Sequence, residues 1–350
     1  MRLGLSLGYW GSGTDPADHL VAAREAERLG YSVVWAAEAY GSDSVTILSW
    51  LAAQTERIDV GSAVMQIPAR AATMTAMTAA SLDTLSDGRF RLGLGVSGPQ
   101  VSEGWYGVGF AKPLGRTREY VDVVKAALRR ERVSYDGKHI TLPLPNGPGK
   151  ALQLAIRPPR QDIPIYLAVI GPKNLELAGE VADGWLGIFF APEYAGEQLA
   201  RVKAGADRAG RDLASIDVVP TVPVVIGDDV DGCADAVRAY SALYIGGMGS
   251  REQNFYNRLA VSMGYEEAAV KVQDLYLAGK YREAAAAVPF EFIDRTCLLG
   301  PAPRVTERLA AYAEAGVTTL SVAPYAPDVE SRLETLRVAA DALDAAGVGE

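Results

Sequence analysis

The sequence predicts a (β/α)8 barrel: eight parallel strands, each followed by a helix, with insertions after strand four and before strand eight. Three observations predict it. Short apolar runs alternate with Ala-rich segments of helical length along nearly the whole chain, and strands alternating with helices imply a parallel sheet. Eight such units can be counted, the number that closes a barrel. No low-complexity linker divides them, so the 350 residues read as one domain, 1–350, a length that large barrels reach.

The elements follow in order. Leu3–Leu7 is the first strand. Asp15 caps the next helix with Pro16 at its first position, where a missing N–H costs nothing. Leu20, Val21 and Leu29 suit one face of it, and Gly30 ends it. Val33–Ala37 is the second strand, followed by a helix near Val45–Gln54. Ile58–Ala63 is the third, followed by a helix over Ala72–Leu85. Asp87-Gly88 marks a turn before the fourth strand, Phe90–Leu94, and a helix over Gly115–Arg130 closes that unit. Residues 133–163, rich in Pro and Gly, form the first insertion, an excursion that suits a hairpin. The rhythm resumes with strand Ile165–Val169, helix Pro172–Val181, strand Trp185–Phe189, a helix near Tyr194–Ala209 and strand Asp217–Val225. The second insertion, about 246–298, reads as mostly helical and carries Phe255, Tyr256, Tyr265 and Tyr276. Helix Arg304–Ala315, strand Thr319–Val322 and helix Val329–Ala346 complete the chain.

Composition narrows the class of function. The net charge is −9, with 49% hydrophobic residues. An acidic chain with no basic cluster argues against nucleic acid or an anionic membrane surface as the main partner, and leaves room for a locally basic pocket. Cys233 and Cys297 lie far apart with no CxxC spacing, and read as buried hydrophobes in a reducing compartment. The Gly-broken start Met1–Leu7 does not suit a signal peptide, and no apolar run reaches the roughly 20 residues of a membrane span. The expectation is a soluble, cytoplasmic protein.

In such a barrel the chemistry sits at the C-terminal ends of the strands. That rule selects Gly8–Gly11, Glu38–Asp43, Ala63–Arg70, Gly95–Gly107, Ile170–Asn174 and Phe189–Glu193. Several chemistries are missing: no GxGxxG follows the first strand, and there is no Walker loop, HExxH or GxSxG elbow. Of the two histidines, His19 lies inside a helix and His139 in the first insertion, so neither a Ser-His-Asp hydrolase nor a His-ligated metal is expected. Two glycine-bearing strand ends remain, Gly93–Pro99 and Ile170–Asn174. The second runs straight into a helix, whose backbone N–H groups with Lys173 nearby suit a phosphate; the plainer reading is a helix start beside a solvated cation. At Gly61–Pro68 an apolar run continues past the expected barrel rim.

At these residues the chain resembles the luciferase-like family of flavin- and deazaflavin-dependent oxidoreductases, and most of all its coenzyme F420 branch with methylenetetrahydromethanopterin reductase-like proteins. The matching segments are Gly30–Tyr40, Thr84–Phe90, Leu92–Gly95, Glu180–Trp185 and Ala315–Thr319, in order and spacing over nearly the whole length. The resemblance implies that a non-prolyl cis peptide joins Ala63 to Val64 and forms a bulge beneath the deazaflavin ring. It places Met65 and Gln66 beside the ring and Glu38 near its polar edge. Gly95, Val96 and Ser97 then line the tail side, and Val169, Ile170, Gly171 and Pro172 hold the phosphate through backbone N–H groups, beside Lys173. Two departures stand out. Sugar-phosphate dehydrogenase relatives carry a His directly after the acidic residue of strand two, where this chain has Ala39, and a catalytic Glu after the fourth-strand glycines, where it reads Gly98-Pro99-Gln100. Alcohol oxidation through a His base is therefore in doubt.

The implied activity is hydride transfer between coenzyme F420 and a small organic substrate. The candidate proton donors are Glu38, Tyr9, Tyr40, Glu103 and Tyr106. Glu38 leads them because a partly desolvated carboxyl rises towards neutral pH; its other reading is a ring hydrogen-bonder or ion-pair partner. Trp10, Trp105 and Tyr106 either wall the substrate pocket or pack under the second insertion. Two alternatives stay open: an FMN-dependent monooxygenase on the same barrel, and a barrel that binds deazaflavin without turnover. The low-charge helices around Ser49–Ala53 and Met74–Ala80 suit a homodimer interface.

Overall fold

A computed structural model describes residues 1–11 and 14–350. In chain order, β1 (Arg2–Ser6), α1 (Pro16–Arg28), β2 (Val33–Ala36), α2 (Ser44–Ala52) and β3 (Asp59–Ser62) come first. A two-residue strand β4 (Met65–Gln66) follows, then α3 (Ala72–Leu85), β5 (Phe90–Gly95), α4 (Pro99–Gly104) and α5 (Pro113–Leu128). The first insertion holds the antiparallel hairpin β6 (Tyr135–Asp136) and β7 (Thr141–Leu142). Next come β8 (Ile165–Ala168), α6 (Pro172–Val181), β9 (Gly184–Ile188), α7 (Ala195–Arg208), β10 (Asp217–Ile226) and α8 (Val230–Ala242). The second insertion is a π-helical turn at Leu243–Gly247 followed by α9 (Phe255–Ser262), α10 (Glu266–Leu277), α11 (Tyr281–Ala286) and α12 (Phe290–Thr296). Last come β11 (Leu298–Gly300), α13 (Ala302–Glu314), β12 (Thr319–Pro324) and α14 (Val329–Ala346).

Eight parallel strands close on themselves in the order β1-β2-β3-β5-β8-β9-β10-β12 and back to β1. The long β10 makes closure possible. It pairs with β9 along Asp217–Thr221, with β12 along Thr221–Val224 and with β11 along Val224–Ile226. Capping behaves as the sequence implies: the Asp15 side chain accepts from the Ala17 N–H, and Gly30 turns with φ +81°. Three elements escape the sequence reading, the short α4 among them. The helix α8 opens with Asp229, whose side chain makes no cap bond, and has Gly232 in its first turn. The strand β11 has only three residues.

The apolar residues form three clusters. The largest lies between the strands and the helices around them, with Leu5, Leu48, Met65, Leu94, Leu167 and Leu336. A second unites α8, β11 and the second insertion around Phe189, Val237, Ile245, Phe292 and both free cysteines, Cys233 and Cys297. The third fills the barrel itself: Val33, Trp35, Tyr166, Leu186 and Val219.

Candidate active site

The barrel interior explains why a site opens at one end. Its N-terminal end is closed by polar side chains: Arg91 donates to Asp59 (2.7 Å), Asp217 (3.3 Å) and the Tyr166 hydroxyl (3.2 Å), while Thr318 and Thr319 donate to Asp217. Above this lies the indole of Trp35, which fits because Gly61 faces it: a Cβ there would sit 2.4 Å from the ring. Side chains alternate along each strand, so the next inward layer is Ser6, Ala37, Ala63, Gly95, Ala168, Ile188, Thr221 and Ala323, small on every strand but β9. Apart from Gly95 these are partly exposed. Small side chains cannot fill a barrel end, and the result is a shallow bowl at the C-terminal rim.

The floor of the bowl is set at Ala63 and Val64, whose peptide bond is cis. Gly95 is required beside them, since a Cβ there would lie 2.7 Å from Val64 Cγ2. Val96 and Ser97 continue the edge, partly exposed, and Ser97 takes a left-handed φ of +61° that turns the chain away from the strand. Met65 does not flank the bowl: it is 1% exposed and belongs to the core outside the barrel, because the strand alternation points it away from Gln66. Gln66 is also buried. Its Nε2 donates to the Glu38 carbonyl (2.7 Å), and its Oε1 has no partner. A buried acceptor left unpaired costs about 1–3 kcal/mol, so this oxygen is poised for a donor from a ligand.

Glu38 lies at the end of β2, buried beneath the rim. Both its oxygens accept from Arg70, and they accept further from the Gln66 N–H (2.9 Å), the Ser44 N–H (3.2 Å) and the Ser44 hydroxyl (2.8 Å). Arg70 also reaches Asp43 at 2.6 Å. Glu38 thereby ties β2, β4 and the starts of α2 and α3 together. Every oxygen is engaged, which favours the ion-pair reading of Glu38 over that of the leading proton donor.

The end of β8 presents another bare feature. Gly171 caps α6 with no side chain on its N–H groups, and the first turn holds no acidic residue. The amides of Gly171 and Lys173 have no partner within the helix, and Lys173 makes no ion pair among the described residues. Pro172 has no N–H, so it cannot bind phosphate as the resemblance implied; it fixes the helix start instead. The Val169 carbonyl is occupied by the Trp185 indole N–H (2.9 Å), and Ile170 is half-buried beside the mouth.

The expected substrate wall divides. Tyr9 and Tyr40 lie together at the rim, ring centroids 6.4 Å apart, and burial followed by Tyr40 pushes the Tyr9 phenol up. The Tyr106 hydroxyl donates to the Ala39 carbonyl (3.0 Å), drawing the β5–α5 loop to the end of β2. Trp10 leaves the wall: it stacks on His19 at 5.3 Å and meets Trp50 edge-on, and its backbone N–H donates to the Ser42 hydroxyl. Glu103 accepts from the Phe110 N–H within its own loop, and Trp105 is 65% exposed. Sequence reasoning missed the more extensive wall, Tyr240, Tyr244 and Tyr325, which joins Tyr256 and Phe189 over the mouth. Only the aromatic content of the second insertion signalled it.

Among the described residues, no group of His, Cys, Asp and Glu could hold a metal ion, and no helix is long and apolar enough to cross a membrane.

A closed parallel barrel with its open, small-residue end at the strand C-termini is the architecture of a (β/α)8 enzyme. The luciferase-like monooxygenase family profile matches residues 4–319, and the chain belongs to that family. It is 44% identical over 329 residues to a Mycobacterium tuberculosis protein provisionally named a coenzyme F420-dependent oxidoreductase, covering 92% of this chain and 94% of that one. It is 33% identical over 226 residues to the 5,10-methylenetetrahydromethanopterin reductase of Methanolobus tindarius, covering 64% and 66%. Among solved structures it resembles the coenzyme F420-dependent tetrahydromethanopterin reductase from Methanopyrus kandleri, with a TM-score of 0.79, 25% identity and 96% of each chain covered.

Proposed function

We propose that this protein is a coenzyme F420-dependent oxidoreductase that exchanges a hydride with a small organic substrate at the C-terminal end of its barrel. The observation that carries it is a flat floor of small side chains beside the unpartnered, buried Oε1 of Gln66. A flat ring fits such a floor, and a ring N–H satisfies that oxygen. The bare start of α6 with Lys173 fits a phosphate at the other end. The relative at 44% identity, with its F420-dependent name, supports the cofactor assignment. A bound deazaflavin supplies two-electron hydride exchange at a ring carbon. The chain's own residues do the rest. Ala63, Val64, Gly95 and Val96 carry one face of the ring, and Ser97 leads towards the tail. Gln66 accepts a ring N–H, and Gly171 and Lys173 hold the phosphate, flanked by Val169 and Ile170. Glu38 holds Gln66 in place through both its carboxylate and its backbone carbonyl. Tyr9 and Tyr40 stand on the substrate side.

We read the chain as one domain working as a homodimer in the reducing cytoplasm. Met74 and Met77 are half-exposed on an uncharged face of α3, and both cysteines are free and buried.

Titration with F420 and, separately, with FMN tests the cofactor, followed by ligand fluorescence and melting temperature. F420 is expected to saturate and to raise the melting temperature as its concentration rises above Kd. Tighter binding of FMN with oxygen consumption supports a monooxygenase instead. Failure to bind F420 refutes the proposal.

A further inference from the structure

Four tyrosines overhang the bowl. Tyr240 lies on α8, Tyr244 in the π-helical turn, Tyr256 on α9 and Tyr325 directly after β12. Ring centroids are 4.7 Å apart for Tyr240 and Tyr244, 4.8 Å for Tyr244 and Tyr256, and 5.5 Å for Tyr240 and Tyr325. Phe189, at the end of β9, lies 5.7 Å from both Tyr240 and Tyr244, which joins the cluster to the barrel rim. Buried tyrosine hydroxyls ordinarily find a partner. None of these four does so among the described residues, yet each side chain remains partly exposed. The hydroxyls open onto space.

That space is uncharged. Burial raises all four phenols, Tyr256 to about 12, and the other influences on them come from neighbouring tyrosines and Cys297, with no carboxylate, lysine or arginine. Tyr244 is central, within the field of Tyr9, Tyr40, Tyr256 and Tyr325. Its backbone is also specially held. A π turn leaves carbonyls poorly paired and is frequent at functional sites. Here the Asn254 amide donates to the Tyr244 carbonyl (3.0 Å) and the Ile245 carbonyl (2.9 Å), and its Oδ1 accepts from the Tyr256 and Asn257 N–H groups (both 3.0 Å). One buried amide thus fixes the Tyr244 turn to the start of the helix that carries Tyr256.

We infer that this tyrosine cluster is the substrate-recognition half of the site. It takes an uncharged, planar, conjugated carbonyl compound whose oxygen accepts from the Tyr244 hydroxyl. Aromatic faces favour a flat ligand, and phenol donors suit a carbonyl. A carboxylate or phosphate would be desolvated there without a countercharge. The inference rests on the hydride-transfer reading above. In the reaction, the β-carbon of the substrate gains a hydride with its electron pair from the bound two-electron donor, which is oxidised, and the C=C π bond shifts to an enolate. The enolate takes the Tyr244 proton, which solvent replaces, and the net change is addition of H2 across the C=C bond.

The test uses full-length protein and 2-cyclohexen-1-one, with fumarate as the charged comparison. In the first arm, without cofactor, saturation-transfer NMR is expected to show cyclohexenone binding that weakens about tenfold in Tyr244→Phe, the effect of one hydrogen bond. Fumarate is expected not to bind. In the second arm, oxidation of reduced F420 by cyclohexenone is expected to lose about 100-fold in kcat in Tyr244→Phe, with its melting temperature and F420 affinity unchanged. Tyr256→Phe, which leaves Tyr244 in place, is expected to raise KM more than it lowers kcat. Equal binding of fumarate, no binding of cyclohexenone, or equal cyclohexenone affinity in wild type and Tyr244→Phe overturns the inference. Because the first arm contains no F420, failure there is distinct from failure of the cofactor assignment.

Discussion

Substituting Glu38→Gln separates a clamp from an acid. The carboxamide keeps the shape of the side chain but turns one acceptor into an NH2 group, and either orientation sets that group against an Arg70 N–H. Removing one partner of a buried ion pair costs about 3–5 kcal/mol. Arg70 keeps Asp43 and is itself 16% exposed, so the loss should fall at the lower end, about 3 kcal/mol. At about 2.1 cal/mol/K per residue, unfolding all 350 residues carries an entropy of about 0.7 kcal/mol/K, and the melting temperature should fall by about 4 °C. F420 affinity should fall with it, because the Gln66 backbone N–H is held by the Glu38 carboxylate. Calorimetry at pH 7 and a fluorescence titration check both. An unchanged melting temperature with turnover reduced a hundredfold or more is the signature of a lost general acid, and refutes the clamp.

Lys173→Ala should weaken F420 binding about fivefold at low salt and less at high salt, as screening of an exposed charge requires; isothermal titration at two ionic strengths checks this. The double substitution Met74→Glu, Met77→Glu should convert a dimer to a 37.2 kDa monomer by light scattering, and a monomeric wild type refutes the interface. Gly93→Ala should abolish folding, since a Cβ would sit 1.8 Å from the Ser62 carbonyl oxygen and 2.9 Å from Leu186; a soluble barrel-like circular dichroism spectrum would contradict this. The Glu25 carboxyl is held down to about 2 by hydrogen bonds from Arg28 and then Arg337, against a usual value of 4.5. A lowered folded value contributes stability that is present above 4.5 and is lost as pH falls towards 2. The stability gap between wild type and Glu25→Gln in urea should therefore shrink over that range.

Where a local signal decides structure, the sequence was legible. The Ala72–Leu85, Pro172–Val181 and Val329–Ala346 helices have the expected limits; Pro172 starts the second, and the Asp328 cap and Gly347 bound the third. The barrel order followed from counting units. Where the decision is long-range, the sequence was silent. Nothing near Glu38 announces Arg70, which follows β3 and β4 in the chain, so the sequence left this carboxyl open between proton donor and ion-pair partner. Met65 looked like part of the rim because an apolar run does not reveal which face each residue takes; the pairing of β4 with β5 sets that. The tyrosine wall is assembled from residues between 189 and 325, and no window of sequence contains it.

The two halves of the site differ in how freely they can change. The floor shares its residues with the barrel: Gly95 is fixed by Val64, Gly61 by the Trp35 ring and Gly93 by the Ser62 carbonyl. A larger side chain at any of these meets another strand before it alters the cofactor surface. The roof rests on a separate core of α8 and α9–α12, packed around Val237, Val272 and Phe292. Tyr240, Tyr244 and Tyr256 project from that core without supporting a barrel strand, and Asn254 holds Tyr244 through the backbone rather than the side chain. Substitution of a roof ring should therefore alter substrate choice at little cost in stability, while substitution in the floor should cost the fold first.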